Sequence, residues 1–154
     1  MKNRHTVCLI VGGLFFIGLS TISAQSNEVV DRLLDQERVT YGYSAYMVLT
    51  SLGTISDDAS VEEAAEALPA EEWNLTSRPA GDPITLGEYS HMLMRAFDIN
   101  GGIMYTIFSG PRYAARELKY LQCIPGSSAP GRSIDGHEVV QILGRLLQWK
   151  EDRS

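Results

Sequence analysis

The sequence is poor in cysteine, which limits how its core can be stabilised. Only Cys8 and Cys123 occur among its 154 residues. Cys8 lies in an N-terminal segment with the pattern of a cleaved leader, so Cys123 alone is expected in the mature chain. No intrachain disulfide is then possible, even on an oxidising export route. The core must therefore be stabilised by side-chain packing.

Basic residues are also few, with 13 Lys and Arg against 19 Asp and Glu, a formal net charge of −6. Loss of a leader that contains Lys2 and Arg4 would bring the net charge to about −8. Nucleic-acid-binding proteins present a basic face, so this balance argues against a nucleic-acid partner. The same charge disfavours passive adhesion of the whole protein to anionic lipid.

No apolar run reaches the roughly 20 residues that a permanent membrane-spanning helix needs. The N-terminus instead has basic residues at Lys2 and Arg4, an apolar stretch within 6–19, and a small residue at Ala24. This order is typical of a secretory signal peptide. We therefore predict a signal peptide at residues 1–24 and cleavage after Ala24. The protein is expected in the periplasm, in the cell envelope or outside the cell, without a stable membrane span after cleavage.

Three segments align without gaps: residues 39–52, 84–97 and 134–147. Each opens with an aliphatic residue followed by a residue type that favours helix N-caps, namely Thr40, Thr85 and Asp135. A Glu stands three positions after the cap in the last two segments, which is the spacing of a capping box. Apolar residues then follow at i, i+3, i+4 and i+7, a pattern that predicts half-buried helices.

The repeat extends upstream of these helices. Residues 63–68 and 113–118 lie 50 positions apart, and both have the small and apolar residues of a helix face. Pro- and Gly-rich stretches at 78–83 and 124–132 predict loops. The sequence therefore predicts an all-α fold, a small helical repeat bundle with long Pro/Gly-rich loops. We expect one domain, residues 25–150, followed by a polar tail at 151–154; its units are about 29–52, 61–97 and 112–148.

Two pairs of motifs carry a resemblance to a known family. Tyr113-Ala114 is followed by Ile124-Pro125-Gly126, and the segments Ile84–Glu88 and Ile134–Glu138 open the second and third capped helices. This pattern resembles degenerate S-layer homology (SLH) repeats over roughly residues 29–148. In that family a Trp-Ala pair, a Gly-Ile turn and an Ile-Thr-Arg-Ala-Glu motif occupy the corresponding places.

The resemblance implies a three-repeat helical bundle that binds cell-wall polysaccharide in grooves between repeats. The Arg of the family motif is a chief contact to the acidic sugar, but this chain has Tyr41, Leu86 and Gly136 at those places. The leading hypothesis is therefore a non-enzymatic module that binds an envelope protein or serves as a scaffold. The alternative is a module that binds cell-wall glycan through basic contacts that have moved to Arg112, Arg116 and Arg132. Tyr113 and Gly126, which lie at or near the family's motif positions, are further candidate binding residues.

The remaining chemistry-bearing residues favour neither catalysis nor metal binding. His91 and His137 have no Cys or acid at zinc-type spacing, and Cys123 has no partner His placed by a motif. We predict no enzyme activity, no cofactor and no metal. The apolar connector at residues 101–112 contains Tyr105 and Phe108, and it is the first candidate for a partner surface if it is exposed.

Overall fold

The computed structural model describes residues 22–154, with side chains from residue 28 onward. Most of the predicted signal peptide therefore lies outside the described residues. Within them the chain forms helices and no strand, so the all-α prediction is confirmed. The helices are α1 Ile22–Leu34, α2 Tyr41–Ser51, α3 Val61–Ala67, α4 Leu86–Ala96, α5 Ile103–Ile107, α6 Pro111–Tyr120 and α7 Gly136–Glu151. None of the helices in this part of the chain is both long and apolar enough to cross a bilayer.

The predicted caps start α4 and α7. At α4 the Thr85 hydroxyl accepts from the Glu88 amide and the Glu88 carboxylate accepts from the Thr85 amide at 2.9 Å, which completes a capping box. At α7 the Asp135 carboxylate accepts from the Glu138 amide at 2.8 Å. The Thr40 side chain makes no cap bond at α2. A further capping box, between Ser60 and Glu63, starts α3 and was not predicted.

The core is built mainly from α2, α4 and α7, with α3 and α6 packed against α2 and α4 respectively. The apolar stripes predicted for α4 and α7 point into it, and their buried residues include Tyr89, Met92, Leu93, Val139, Ile142, Leu143 and Leu146. In α2 the buried face includes Val48 and Leu49, whereas Leu52, a predicted stripe residue, is 37% exposed. Ala64, Ala65, Ala114 and Ala115 let α3 and α6 approach closely, because alanine occupies little space.

The aliphatic residues that precede α2, α4 and α7 meet at the centre of the molecule. Val39, Ile84 and Ile134 are each at most 2% exposed. The Ile84 amide donates to the Val39 carbonyl at 3.1 Å, and the Val39 amide donates to the Ile134 carbonyl at 2.9 Å. These backbone bonds join three segments that lie far apart in the chain.

The first amide of each of these three helices is bonded to a different segment of the chain. Such amides have no partner inside their own helix, so they need an acceptor elsewhere. The bonds are Tyr41 N to Asp82 O at 2.8 Å, Leu86 N to Arg132 O at 2.9 Å and Gly136 N to Gln36 O at 3.0 Å. The start of every one of these helices is therefore fixed by a neighbouring loop.

The closest of these approaches is at Gly136. A Cβ atom at this position would lie 1.8 Å from the Leu33 carbonyl oxygen, a distance no side chain tolerates. Glycine is therefore required for the end of α1 to reach the start of α7. This contact brings the N-terminal part of the described chain against its last helix.

Candidate interaction surface

Residues 103–108 form an exposed apolar projection just before the third predicted unit, which begins at about residue 112. The sequence predicted a connector here, whereas the structure has the single-turn helix α5. Its exposed side chains are Ile103 (79%), Met104 (54%), Ile107 (62%) and Phe108 (57%). We call these four side chains the apolar knob. Single exposed hydrophobic residues are common on proteins, but a contiguous group usually marks a contact site.

Tyr105 anchors the knob to the core. This predicted binding residue is only 6% exposed, so its ring is not part of the surface. Its hydroxyl shares a 3.0 Å hydrogen bond with Nδ1 of His91, a residue of α4 that is 1% exposed. The two rings also meet edge to face, with 6.0 Å between their centroids. Tyr105 therefore fixes the orientation of a helix that is too short to be stable alone.

The surroundings of this pair keep both groups neutral. Burial lowers the pKa of His91, and the nearby Arg95 guanidinium acts in the same direction, while nearby backbone groups of Trp73 and Asn74 act against them. Burial likewise raises the pKa of the Tyr105 hydroxyl. Within the described residues Nε2 of His91 has no hydrogen-bond partner. The pair is thus a neutral, buried polar contact between α4 and α5.

The other end of the knob is supported by α6. The rings of Phe108 and Tyr113 are stacked, with 6.0 Å between centroids and 25° between planes. Tyr113 is half-buried and packs against the core. The structure therefore brings together two of the residues predicted to bind a partner.

Arg112 and Arg116 lie next to the knob on α6. Both are exposed and stand one helical turn apart, so they share a face. Neither makes an ion pair within 4 Å in the part of the chain that the structure describes. Residues 99–116 contain no Asp or Glu. This segment is a locally basic and apolar surface in an acidic protein.

Arg132 belongs to a different environment. Its guanidinium binds both carboxylate oxygens of Glu138, and its Nε donates to the Ser127 carbonyl at 2.9 Å. The hydrogen bond to Glu138 raises the pKa of Arg132 although burial opposes it. Arg78 makes a comparable contact with Glu88 at 3.0 Å, before α4. Arg132 therefore supports the start of α7.

Gly126, another predicted binding residue, is exposed. Its carbonyl accepts a hydrogen bond from the Lys119 ammonium at 2.7 Å.

The positions that match the Arg of the SLH motif lie inside the protein. Tyr41 is 2% exposed, Leu86 is fully buried, and Gly136 is buried against α1. The Arg78 guanidinium lies 5.6 Å from the centre of the Tyr41 ring. None of these three positions presents a cation to a ligand.

Metal-ligating side chains are not clustered in the part of the chain that the structure describes. No group of three or more His, Cys, Asp or Glu is arranged to hold a metal ion there. Cys123 is 1% exposed, and burial raises the pKa of its thiol, which disfavours the reactive thiolate.

No protein-family model matches the chain, and no curated protein or solved structure matches it significantly. Residues 22–154 form a small helical protein with an exposed apolar knob. The S-layer homology resemblance stays a prediction.

Proposed function

We propose that this chain is an exported, non-enzymatic, SLH-like module of the cell envelope that serves as a scaffold or protein-interaction subunit. Support for the architecture comes from the starts of α2, α4 and α7. Three aliphatic residues meet at the centre, and the first amide of each helix is bonded to another segment. Three helix–loop–helix units around one axis would produce this pattern.

The observation that carries the functional part is the burial of the three motif positions. A sugar-binding Arg cannot be replaced by a buried Tyr, Leu or Gly without loss of its charge and its planar set of donors. At the start of α7 no side chain fits at all, because the Leu33 carbonyl occupies the space that a side chain would need at Gly136. These features favour a module whose architecture has been kept while its ligand has changed.

Glycan binding is the second candidate function, and one observation favours it. Arg112 and Arg116 are exposed without a carboxylate partner in the described residues, and the Phe108–Tyr113 stack lies beside them. Cations next to aromatic rings suit an acidic polysaccharide. Arg132 is a weaker candidate, because Glu138 already neutralises its charge.

The two functions are separated by a retention experiment with two baits. The exported form, purified from expressing cells, is passed over cell-wall peptidoglycan with its attached polymers and over immobilised, solubilised envelope proteins. The scaffold function predicts one discrete protein partner and no retention on the polymer. Retention on the polymer that is lost in R112A/R116A/R132A, but not in the control Arg38→Ala, would establish the glycan function instead. Retention on neither bait would refute both.

A further inference from the structure

We propose that the apolar knob, together with Arg112 and Arg116, is a docking surface for an anionic phospholipid bilayer. The inference rests on the proposed function only for the protein's location in the envelope. It adds a component that the scaffold would contact, and the binding itself can be measured with lipid alone.

The shape of the surface favours a bilayer. Ile103, Met104 and Ile107 project from a single helical turn and are each more than half exposed. A projecting apolar group can enter the boundary between head groups and acyl chains without a complementary groove. A stable contact with a second copy of the chain needs about 800 Å² on each partner. The four side chains of one short helix are too few for that.

The charge next to the knob complements anionic head groups. Arg112 and Arg116 share one exposed face and have no ion-pair partner in the described residues. Basic residues at the surface of a bilayer bind acidic lipids additively. The carboxylate of Glu117 on α6 lies close to Gly102, the residue before α5. With two exposed arginines against this one nearby carboxylate on α6, the local charge beside the knob is positive.

The negative charge of the whole protein does not prevent this local contact. Residues 99–116 lack acids entirely, so the 19 acids of the chain lie outside this segment. At physiological ionic strength, charges separated by more than about 8 Å are largely screened from each other. Acids farther away than this therefore weaken the attraction between the two arginines and anionic head groups only slightly.

Rigid support distinguishes the knob from a frayed loop. Tyr105 holds its middle through the buried hydrogen bond to His91, and Phe108 is stacked on Tyr113. Insertion then needs no ordering of the segment, and a pre-ordered surface loses less entropy on binding. The exposed apolar side chains are consequently available without unfolding of α5.

The proposal is tested by flotation of the exported protein with vesicles of phosphatidylglycerol and phosphatidylcholine, and with vesicles of phosphatidylcholine alone. The expected result is binding to the anionic vesicles that weakens as salt is raised. I107E/F108E and R112E/R116E should each weaken it at least about tenfold. Leu52→Glu and Arg38→Glu, changes at an apolar and a basic position outside residues 99–116, should leave it unchanged.

Absence of binding to the anionic vesicles would overturn the proposal, and so would equal binding by the wild type and I107E/F108E. Equal binding to both kinds of vesicle would overturn the role of the two arginines. A discrete protein partner on the envelope-protein bait, without vesicle binding, would leave the scaffold function standing and refute the lipid contact. Circular dichroism of each variant confirms that it is folded.

Discussion

The hydroxyl of Tyr89 on α4 donates a 3.1 Å hydrogen bond to the carbonyl of Val139 on α7, the residue 50 positions later in the chain. The two residues occupy corresponding places in the aligned segments, yet they contact each other directly. Tyr89 is completely buried, and burial raises the pKa of its hydroxyl. The bond therefore joins two of the helices that form the core.

Removal of this hydroxyl should destabilise the protein. We expect Tyr89→Phe to lower the free energy of unfolding by about 1 kcal/mol, because a buried hydrogen bond is lost without a replacement from water. Urea unfolding followed by circular dichroism measures the change. Tyr120→Phe is the control, since Tyr120 is 83% exposed and should show no effect. Equal stability of the two variants would refute a role for the Tyr89–Val139 bond.

The contact between α1 and α7 is tested by two glycines of the same helix. Gly136→Ala would place a Cβ against the Leu33 carbonyl, and we expect a loss of about 3 kcal/mol or more. Gly144→Ala, in the middle of α7, meets nothing within 4 Å. It should stabilise the protein by about 0.5–1 kcal/mol, because alanine is the better helix former. Equal effects would mean that α1 does not approach Gly136.

His91 should make stability depend on pH in the mildly acidic range. Burial holds its pKa in the folded protein below the unperturbed value of 6.5. The unfolded chain therefore takes up the proton first, so the contribution of neutral His91 is present above pH 6.5 and is lost as the pH falls below it. Urea unfolding across this pH range should show a decrease in the free energy of unfolding with falling pH, both in the wild type and in the control His137→Gln. A His91→Gln protein with the same pH dependence as the wild type would contradict this assignment.

Glu88 should contribute to the stability of α4 only while it is ionised. Burial acts to raise its pKa, but the hydrogen bonds from Thr85 and the charge of Arg78 outweigh burial and hold the pKa below 4.5. The contribution is thus present above pH 4.5 and is lost as the pH falls through the folded-state pKa. Glu88→Gln should reduce this acid sensitivity. Glu62→Gln, at an exposed site, should keep the acid sensitivity of the wild type. A protein whose acid sensitivity falls in Glu62→Gln and not in Glu88→Gln would argue against the capping role of Glu88.

The helices that could be predicted from sequence are those whose signals are local. Thr85 and Glu88 identify the start of α4 because a capping box involves residues three positions apart. The apolar stripes of α4 and α7 follow from helical periodicity, and most of their residues are buried. Leu147 is an exception, since it is 38% exposed near the end of α7, where little of the chain covers it.

The parts that could not be predicted depend on contacts between distant residues. Residues 103–107 are too few for a helical period to be established, and α5 is held by the bond from Tyr105 to His91. The sequence likewise placed Arg132 at a ligand site, because nothing local shows that it pairs with Glu138. Glu138 was expected to complete a capping box, and its carboxylate binds Arg132 instead.

The central claim is the proposal that the starts of α2, α4 and α7 hold no sugar site of the kind that an SLH repeat would carry there. Nuclear magnetic resonance of the isotope-labelled exported protein, titrated with soluble cell-wall polysaccharide, tests it most directly. The amides of Tyr41, Leu86 and Gly136 report on the three motif positions. The account predicts no saturable shift at any of them. Saturable shifts centred on these amides would contradict it, because they would place the polysaccharide where the structure has three buried residues without a cation.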